Sequence, residues 1–494
     1  MDSYHTCERF SCRCDLFNRS LDRNLKIAFI MKRIIISIIS LLLALPAFSQ
    51  EINGSWSGVL NAGVIKLRLV INISEKGGIY SATMDSPDQG AKGIPVSALN
   101  FENAKLTFSI AKLQIEYEGV WQNDSIVGTF KQGGMAFPLN LKHLKEGSTP
   151  VIRRPQEPKL PYPYHSENVR FENKAADITL AGTLSLPKEG KNFPAAILVT
   201  GSGQQNRDEE IMGHKTFFVL SDYLTRNGIA VLRYDDRGVA ESGGNYSTAT
   251  LDDFATDAAA AVNYLKTRKE INPKKIGVIG HSEGGIIAFM LASEKNNGLA
   301  YIVSMAGMAI PGDSLMRMQR YLIANKMGIP DAQIEQNEML VDKANRIVNT
   351  YSDDFILQNM DKLTNEAFPD SLKANEAIRM AFHQGIKQLM LPEIKSLMNF
   401  NPSNALTKIK CPVLALNGEK DLQVPADINL NRVKALVKSP VTIKKYPDLN
   451  HLFQHCTTGL PNEYGSIEET ISPEVLSDIV SWIWTFGNIF YSQL

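Results

Sequence analysis

The chain has 494 residues, more than one ordinary domain holds and enough for two or three. A hydrophobic content of 44% with 21% charged residues is that of a globular protein. Its 52 basic residues balance 52 acidic ones without a basic block, which argues against nucleic acid or an anionic membrane surface as the main partner.

Met31-Lys32-Arg33 opens a basic segment, the apolar run Ile34 to Leu45 follows, and small residues stand at Ala47 and Ser49. That order predicts a signal peptide over 31–49, with cleavage after Ser49 and export to a periplasmic or extracellular space. The run is short for a membrane span and no cysteine follows it to carry a lipid, so no stable membrane anchor is expected. Residues 1–30 read as an upstream mis-start or an extension. His5, Cys7, Cys12 and Cys14 lie there without a second ligand pair at zinc spacing, so no metal site is expected. Cys411 and Cys456 should fall at opposite ends of a sheet, beyond the roughly 7 Å that a disulfide can bridge, and are expected as free thiols.

Residues 50–142 read as all-β. Leu67, Leu69, Ile71 and Ile73 alternate with other residues, as do Leu106, Phe108 and Ile110, and turns such as Lys76-Gly77-Gly78 and Asn123-Asp124 separate the runs. About eight short strands imply a small barrel or sandwich. Gly54-Ser55-Trp56 resembles the opening of lipocalin-like barrels. The module is either a ligand- or glycan-binding domain or a structural cap, and the lack of clustered catalytic residue types favours the cap. Residues 143–166, with prolines at 150, 155, 158, 161 and 163, read as a semi-rigid linker.

From 167 to 494 the pattern is strand-helix alternation. Ala195 to Thr200, Ile229 to Arg233, Lys275 to Ile279, Tyr301 to Ser304, Pro412 to Asn417 and Val441 to Tyr446 are apolar strand candidates. Helical segments separate them, including one from His214 to Arg226 and a last one from Pro473 to Trp484. This predicts a mostly parallel sheet covered on both faces. Residues 308–400 interrupt it with a helical, Met-rich insertion, expected as a lid over the carboxyl ends of the strands. Its methionines could line an acyl pocket, but packing in the lid's own core is the better expectation for most of them.

The sharpest motif is Gly280-His281-Ser282-Glu283-Gly284, between a strand and a helix. Small residues on either side let the backbone turn tightly and lift the Ser282 hydroxyl clear. The amide of Glu283 then stands at a helix N-terminus, able to receive an oxyanion. A serine nucleophile needs a base and an orienting carboxylate. His451, in the loop after the last strand, is the expected base, with His455 in reserve. Asp421 at the tip of the preceding loop is the expected carboxylate, ahead of Asp427 and Asp448. The loop Thr200 to Asp208 should supply the second oxyanion donor, the amide of Ser202. Arg207 is expected to pair with Asp208 or to touch substrate, and Asp235-Asp236-Arg237-Gly238 to brace the site.

Gly201-Ser202-Gly203 with Arg207-Asp208, Asp236-Arg237-Gly238 with Ser242, the Ser282 elbow, Gly418 with Asp421, and Asn450-His451 together resemble the α/β-hydrolase superfamily. Within it they are most similar to EstD-like carboxylesterases with an added N-terminal β domain. The resemblance covers roughly residues 165–490. It implies a Ser-His-Asp acyl-enzyme mechanism on short-chain or glycan-linked carboxylic esters, without metal or organic cofactor. A serine aminopeptidase of the proline-iminopeptidase type shares these motifs. A non-catalytic glycan-binding protein is the reading from outside the enzymes.

Overall fold

The structure, a computed structural model, describes residues 52–62, 65–87, 91–132, 135–144 and 153–489. The signal peptide expected over 31–49 and the cysteines at 7, 12 and 14 lie outside the described residues.

Alternating apolar residues in 54–143 build nine strands: β1 (Gly54–Ala62), β2 (Ile65–Lys76), β3 (Ile79–Ser86), β4 (Ala91–Pro95), β5 (Ala98–Glu102), β6 (Lys105–Ile110), β7 (Ile115–Gln122), β8 (Ser125–Gln132) and β9 (Met135–His143). They form one antiparallel sheet in the order β4-β3-β2-β1-β9-β8-β7-β6-β5, one strand more than the sequence spacing suggests. Gly77 and Gly78, both at positive φ, make the two-residue turn between β2 and β3. The sheet curls as a half-barrel, bringing Tyr80 of β3 to 6.3 Å from Phe101 of β5 between ring centroids. Its concave core holds Trp56, Ile71, Leu106, Phe108, Tyr117 and Phe130, all buried.

The second sheet has eight strands: β10 (His165–Asn173), β11 (Ile178–Leu186), β12 (Phe193–Val199), β15 (Ala230–Tyr234), β16 (Ile271–His281), β17 (Tyr301–Met305), β18 (Val413–Gly418) and β19 (Val441–Tyr446). A small ribbon, β13 (Glu210–Ile211) with β14 (His214–Lys215), lies between β12 and β15 in the chain. The spatial order is β10-β11-β15-β12-β16-β17-β18-β19, antiparallel at the β10 edge and parallel from β15 onward. Strands β12, β15, β17 and β18 are buried at every residue, because helices cover both faces. On one face pack α1 (Thr216–Arg226) and α12 (Pro473–Ile489), through Phe217, Leu220, Val475 and Ile479. On the other pack α2 (Leu251–Thr267), α3 (Glu283–Ser293) and α11 (Ala426–Leu436), through Phe254, Ala258, Phe289 and Val433. His214, read as helical from the sequence, lies in β14, and α1 starts at Thr216.

Between β17 and β18 the chain forms the expected helical insertion: α4 (Gly312–Lys326), α5 (Asp331–Thr350), α6 (Asp353–Ala367), α7 (Asp370–Lys373), α8 (Glu376–Leu389) and α9 (Pro392–Asn399), then the short α10 (Ser403–Leu406). Ile347, Ile356, Phe382 and Ile386 make its own core, with Met360 and Met390 packed against it. It reaches the carboxyl-end loops of the sheet through Gln319, which donates to Gln423, and Ser396, which accepts from the Leu251 amide.

The Pro-rich segment is fastened down rather than free along its second half. Arg154 donates to the carbonyls of Gly213, Met212, Ile467 and Gly465 at 2.6–3.2 Å. Gln156 donates to Ile471 and accepts from the Thr470 amide. Tyr162 and Tyr164 stack on each other, and Tyr162 meets Phe218 of α1 edge-on.

Candidate active site

Ser282 sits where β16 passes into α3, at φ 53° and ψ −115°, a strained conformation for a residue with a side chain. Close packing enforces it. A Cβ on Gly280 would lie 1.9 Å from the Gly284 carbonyl, and one on Gly284 would lie 2.0 Å from that of Val199. The Ser282 amide is tied to Met305 O at 2.8 Å. The turn therefore has no room to relax.

His451 and Asp421 come from the loops beyond β19 and β18, at the same rim of the sheet as Ser282. His451 Nδ1 lies 2.8 Å from Asp421 Oδ2, with both side chains buried. Asp421 Oδ1 accepts from the amides of Gln423 and Val424, so the carboxylate is aimed at the ring by its own loop. Asn450 shapes the histidine loop by accepting from the Leu452 and Gln454 amides. The other candidates stand elsewhere. Asp448 pairs with Lys420, Asp427 with Lys445 and His455 with Glu469, in each case with at least one partner at the surface.

The loop after β12 approaches the elbow at Gly201, where a Cβ would come within 3.3 Å of Ser282 Cβ. The Gly201 amide donates to Glu209 and the Gly203 amide to Glu393 of α9, while the Ser202 amide between them meets no acceptor among the described residues. The Glu283 amide, first in α3, is similarly unoccupied. Two N–H donors without an acceptor among the described residues thus stand on the elbow and on the loop beside it.

Arg207 does not pair with Asp208. It holds Asp235 at 2.5 and 3.1 Å and reaches Glu241, while Asp208 pairs with Arg233. Asp235, Asp236 and Arg237 brace the site as expected. Asp236 accepts from Thr200 Oγ1 and the Gln205 amide, and Arg237 grips Asp253 and Asp257 of α2.

A family described as "Serine aminopeptidase, S33" matches residues 214–455, a span that contains Ser282, Asp421 and His451. The chain has the α/β-hydrolase fold. Among curated relatives, Esterase EstD of Thermotoga maritima is 26% identical over 348 residues, covering 69% of this chain and 74% of the relative. The Bifunctional esterase/perhydrolase DCH of Acinetobacter calcoaceticus is 26% identical over 265 residues, covering 52% and 84%. A hypothetical protein from Pseudomonas aeruginosa, PA2218, superposes with a TM-score of 0.42 at 18% identity, over 68% of this chain and 98% of that one.

Sequence reasoning missed the part played by three acidic side chains. Glu209, one residue beyond the Arg207-Asp208 pair it singled out, is fully buried and bonded to His281 Nδ1 at 2.9 Å. Glu393, after Pro392 at the start of α9, ties the lid to the loop after β12. The side chain of Glu283 is buried too, and its Oε2 has no hydrogen-bond partner among the described residues. Burial, then the charges of Glu393 and Asp236, raise the Glu283 carboxyl well above its ordinary range. Burial likewise pushes Asp236 up to about 8, against the hydrogen bonds from Thr200 and Gln205. A void of about 20 Å³ between Asp236, Tyr246 and Glu283 is the size of one water molecule.

Proposed function

We propose that the protein is an exported serine carboxylesterase that cleaves short-chain or glycan-linked carboxylic esters through a Ser-His-Asp acyl-enzyme. The observation that carries this reading is the buried His451–Asp421 hydrogen bond of 2.8 Å, on loops at the same rim of the sheet as the Ser282 elbow. His451, oriented by Asp421, takes the Ser282 proton as the hydroxyl oxygen attacks the ester carbonyl. The Ser202 and Glu283 amides receive the oxyanion, and the strained elbow keeps the hydroxyl in place without reorganisation. His451 then protonates the departing alcohol, and water deacylates the serine by the same route. These steps call for no metal or organic cofactor.

The names of the two curated relatives support ester chemistry at 26% identity. The basic and apolar order of residues 31–49 supports export. Replacement of Ser282 by Ala should abolish p-nitrophenyl acetate hydrolysis and labelling by a fluorophosphonate, with unfolding behaviour unchanged; substantial remaining turnover would reject the assignment.

The aminopeptidase reading draws support from the matched family's description and from Glu393, a lid carboxyl bonded to the oxyanion loop that could meet a free amine. Turnover of aminoacyl anilides exceeding that of simple esters would favour it.

A further inference from the structure

The lid helices line a half-open cavity of about 880 Å³, within the range of small-molecule sites. Met316 of α4, Leu340 and Ala344 of α5, Phe382 of α8 and Met398 of α9 supply its apolar walls. None of its lining residues comes from the loops that carry Ser202, Ser282, Asp421 or His451. The space therefore lies among the lid helices rather than over the elbow.

Two further observations indicate what it holds. Gly385, in the interior of α8, lines the cavity, and a Cβ built there meets nothing within 4 Å. Neither close packing nor positive φ calls for glycine here, and the space beside it is open enough to take a larger side chain. The charged lining residues are Arg320 and Lys343, both cations. Glu338 neutralises Arg320 through two hydrogen bonds of 2.6 and 2.7 Å. Lys343 donates to the Ala367 carbonyl and has no carboxylate partner among the described residues, so the site keeps one uncompensated positive charge.

We propose that this cavity binds a single-chain fatty carboxylate. Its chain lies against Met316, Leu340, Phe382 and Met398, and its head group meets Lys343. Methionine adapts to chains of varied shape, and the lysine selects an anionic head over a neutral one. The site stands independently of the esterase reading.

Titration of the full chain with a fluorescent polyene fatty acid should give saturable binding, one site per chain, displaced by dodecanoate. Gly385→Phe, which fills the space, should weaken it by at least about tenfold, whereas Gly385→Ala should bind as the parent does. Lys343→Gln should weaken dodecanoate about two- to fivefold and leave dodecanol unaffected. Absence of saturable binding would overturn the proposal, as would affinity indifferent to both Gly385→Phe and Lys343→Gln. If Gly385→Phe fails to fold, the comparison of dodecanoate with dodecanol in Lys343→Gln decides alone. A chain that excludes the probe and sediments as a dimer would put a second copy over the cavity and also overturn it.

Discussion

His281 Nδ1 lies 2.9 Å from Glu209 Oε1, in a pair whose side chains are 2% and 0% exposed. The other ring nitrogen, Nε2, donates to the His451 carbonyl at 3.0 Å, and Glu209 Oε1 also accepts from the Gly201 amide. One imidazole and one carboxylate therefore join the loop of the proposed base to the loop of the proposed oxyanion donor. Burial pulls the His281 pKa down, but the Glu209 carboxylate outweighs it and the net shift is upward. Glu209→Gln removes the charge and leaves the imidazole buried without it. It should cost about 3 kcal/mol in denaturant unfolding. It should also lower kcat about tenfold or more with little change in KM, since it displaces backbone that acts in the transition state.

Asp421→Asn tests the orientation of His451. Two loop amides fix Oδ1 as an acceptor, so the amide oxygen of the variant takes that place and its NH2 faces Nδ1. The ring must then carry its proton on Nε2, the wrong tautomer for a base. Turnover should fall by roughly three to four orders of magnitude while the fold survives. A variant with parental kcat would remove Asp421 from the mechanism.

The buried carboxyl of Glu283 makes stability depend on pH. Its pKa is raised in the folded chain above the ordinary value near 4.5, so the protonated form belongs to the native state. Its stabilising share is complete below that ordinary value and is lost as pH rises through the raised one. Thermal unfolding should therefore show the parent losing stability relative to Glu283→Gln as pH rises above about 5. Asp236, Tyr246 and Asp257 line the same void and the charge of Glu393 also acts on Glu283, so the difference between the two proteins is the quantity to compare. Parallel pH curves would mean that Glu283 is ionised in the native chain.

Arg154→Ala should release the fastened half of the Pro-rich segment. Its guanidinium donates to four carbonyls, two of them in 465–467, and charged hydrogen bonds of this kind suggest a loss of about 3 kcal/mol. Calorimetry of the parent and the variant measures it directly.

The parallel sheet, the helical insertion and the Asp421–His451 contact were legible because strand periodicity and residue chemistry are local. A histidine and an aspartate in loops after successive parallel strands must emerge at the same rim. What stayed hidden depends on where long side chains reach. Arg207 and Asp208 are adjacent in the chain, but neighbouring side chains diverge, so each finds its partner on β15 or the loop beyond it. Glu393 was out of sight because apolar periodicity gives helices without saying which end of the insertion returns to the sheet. The ninth β strand was lost because β4 and β5, the edges of their sheet, are only five residues each.

The bonds of Arg154 and Gln156 to residues 465–471 have a practical bearing on where the hydrolase can be cut away from the β module. Glu469 is bonded through its carbonyl to Gln454, and Ser472 through its amide to Phe453, so this stretch supports the turn that carries His451. A fragment begun at β10 would keep every strand of the large sheet and still leave that turn without its outer brace. One begun ahead of Arg153 would retain the brace, and the difference between them would show in turnover before it showed in folding.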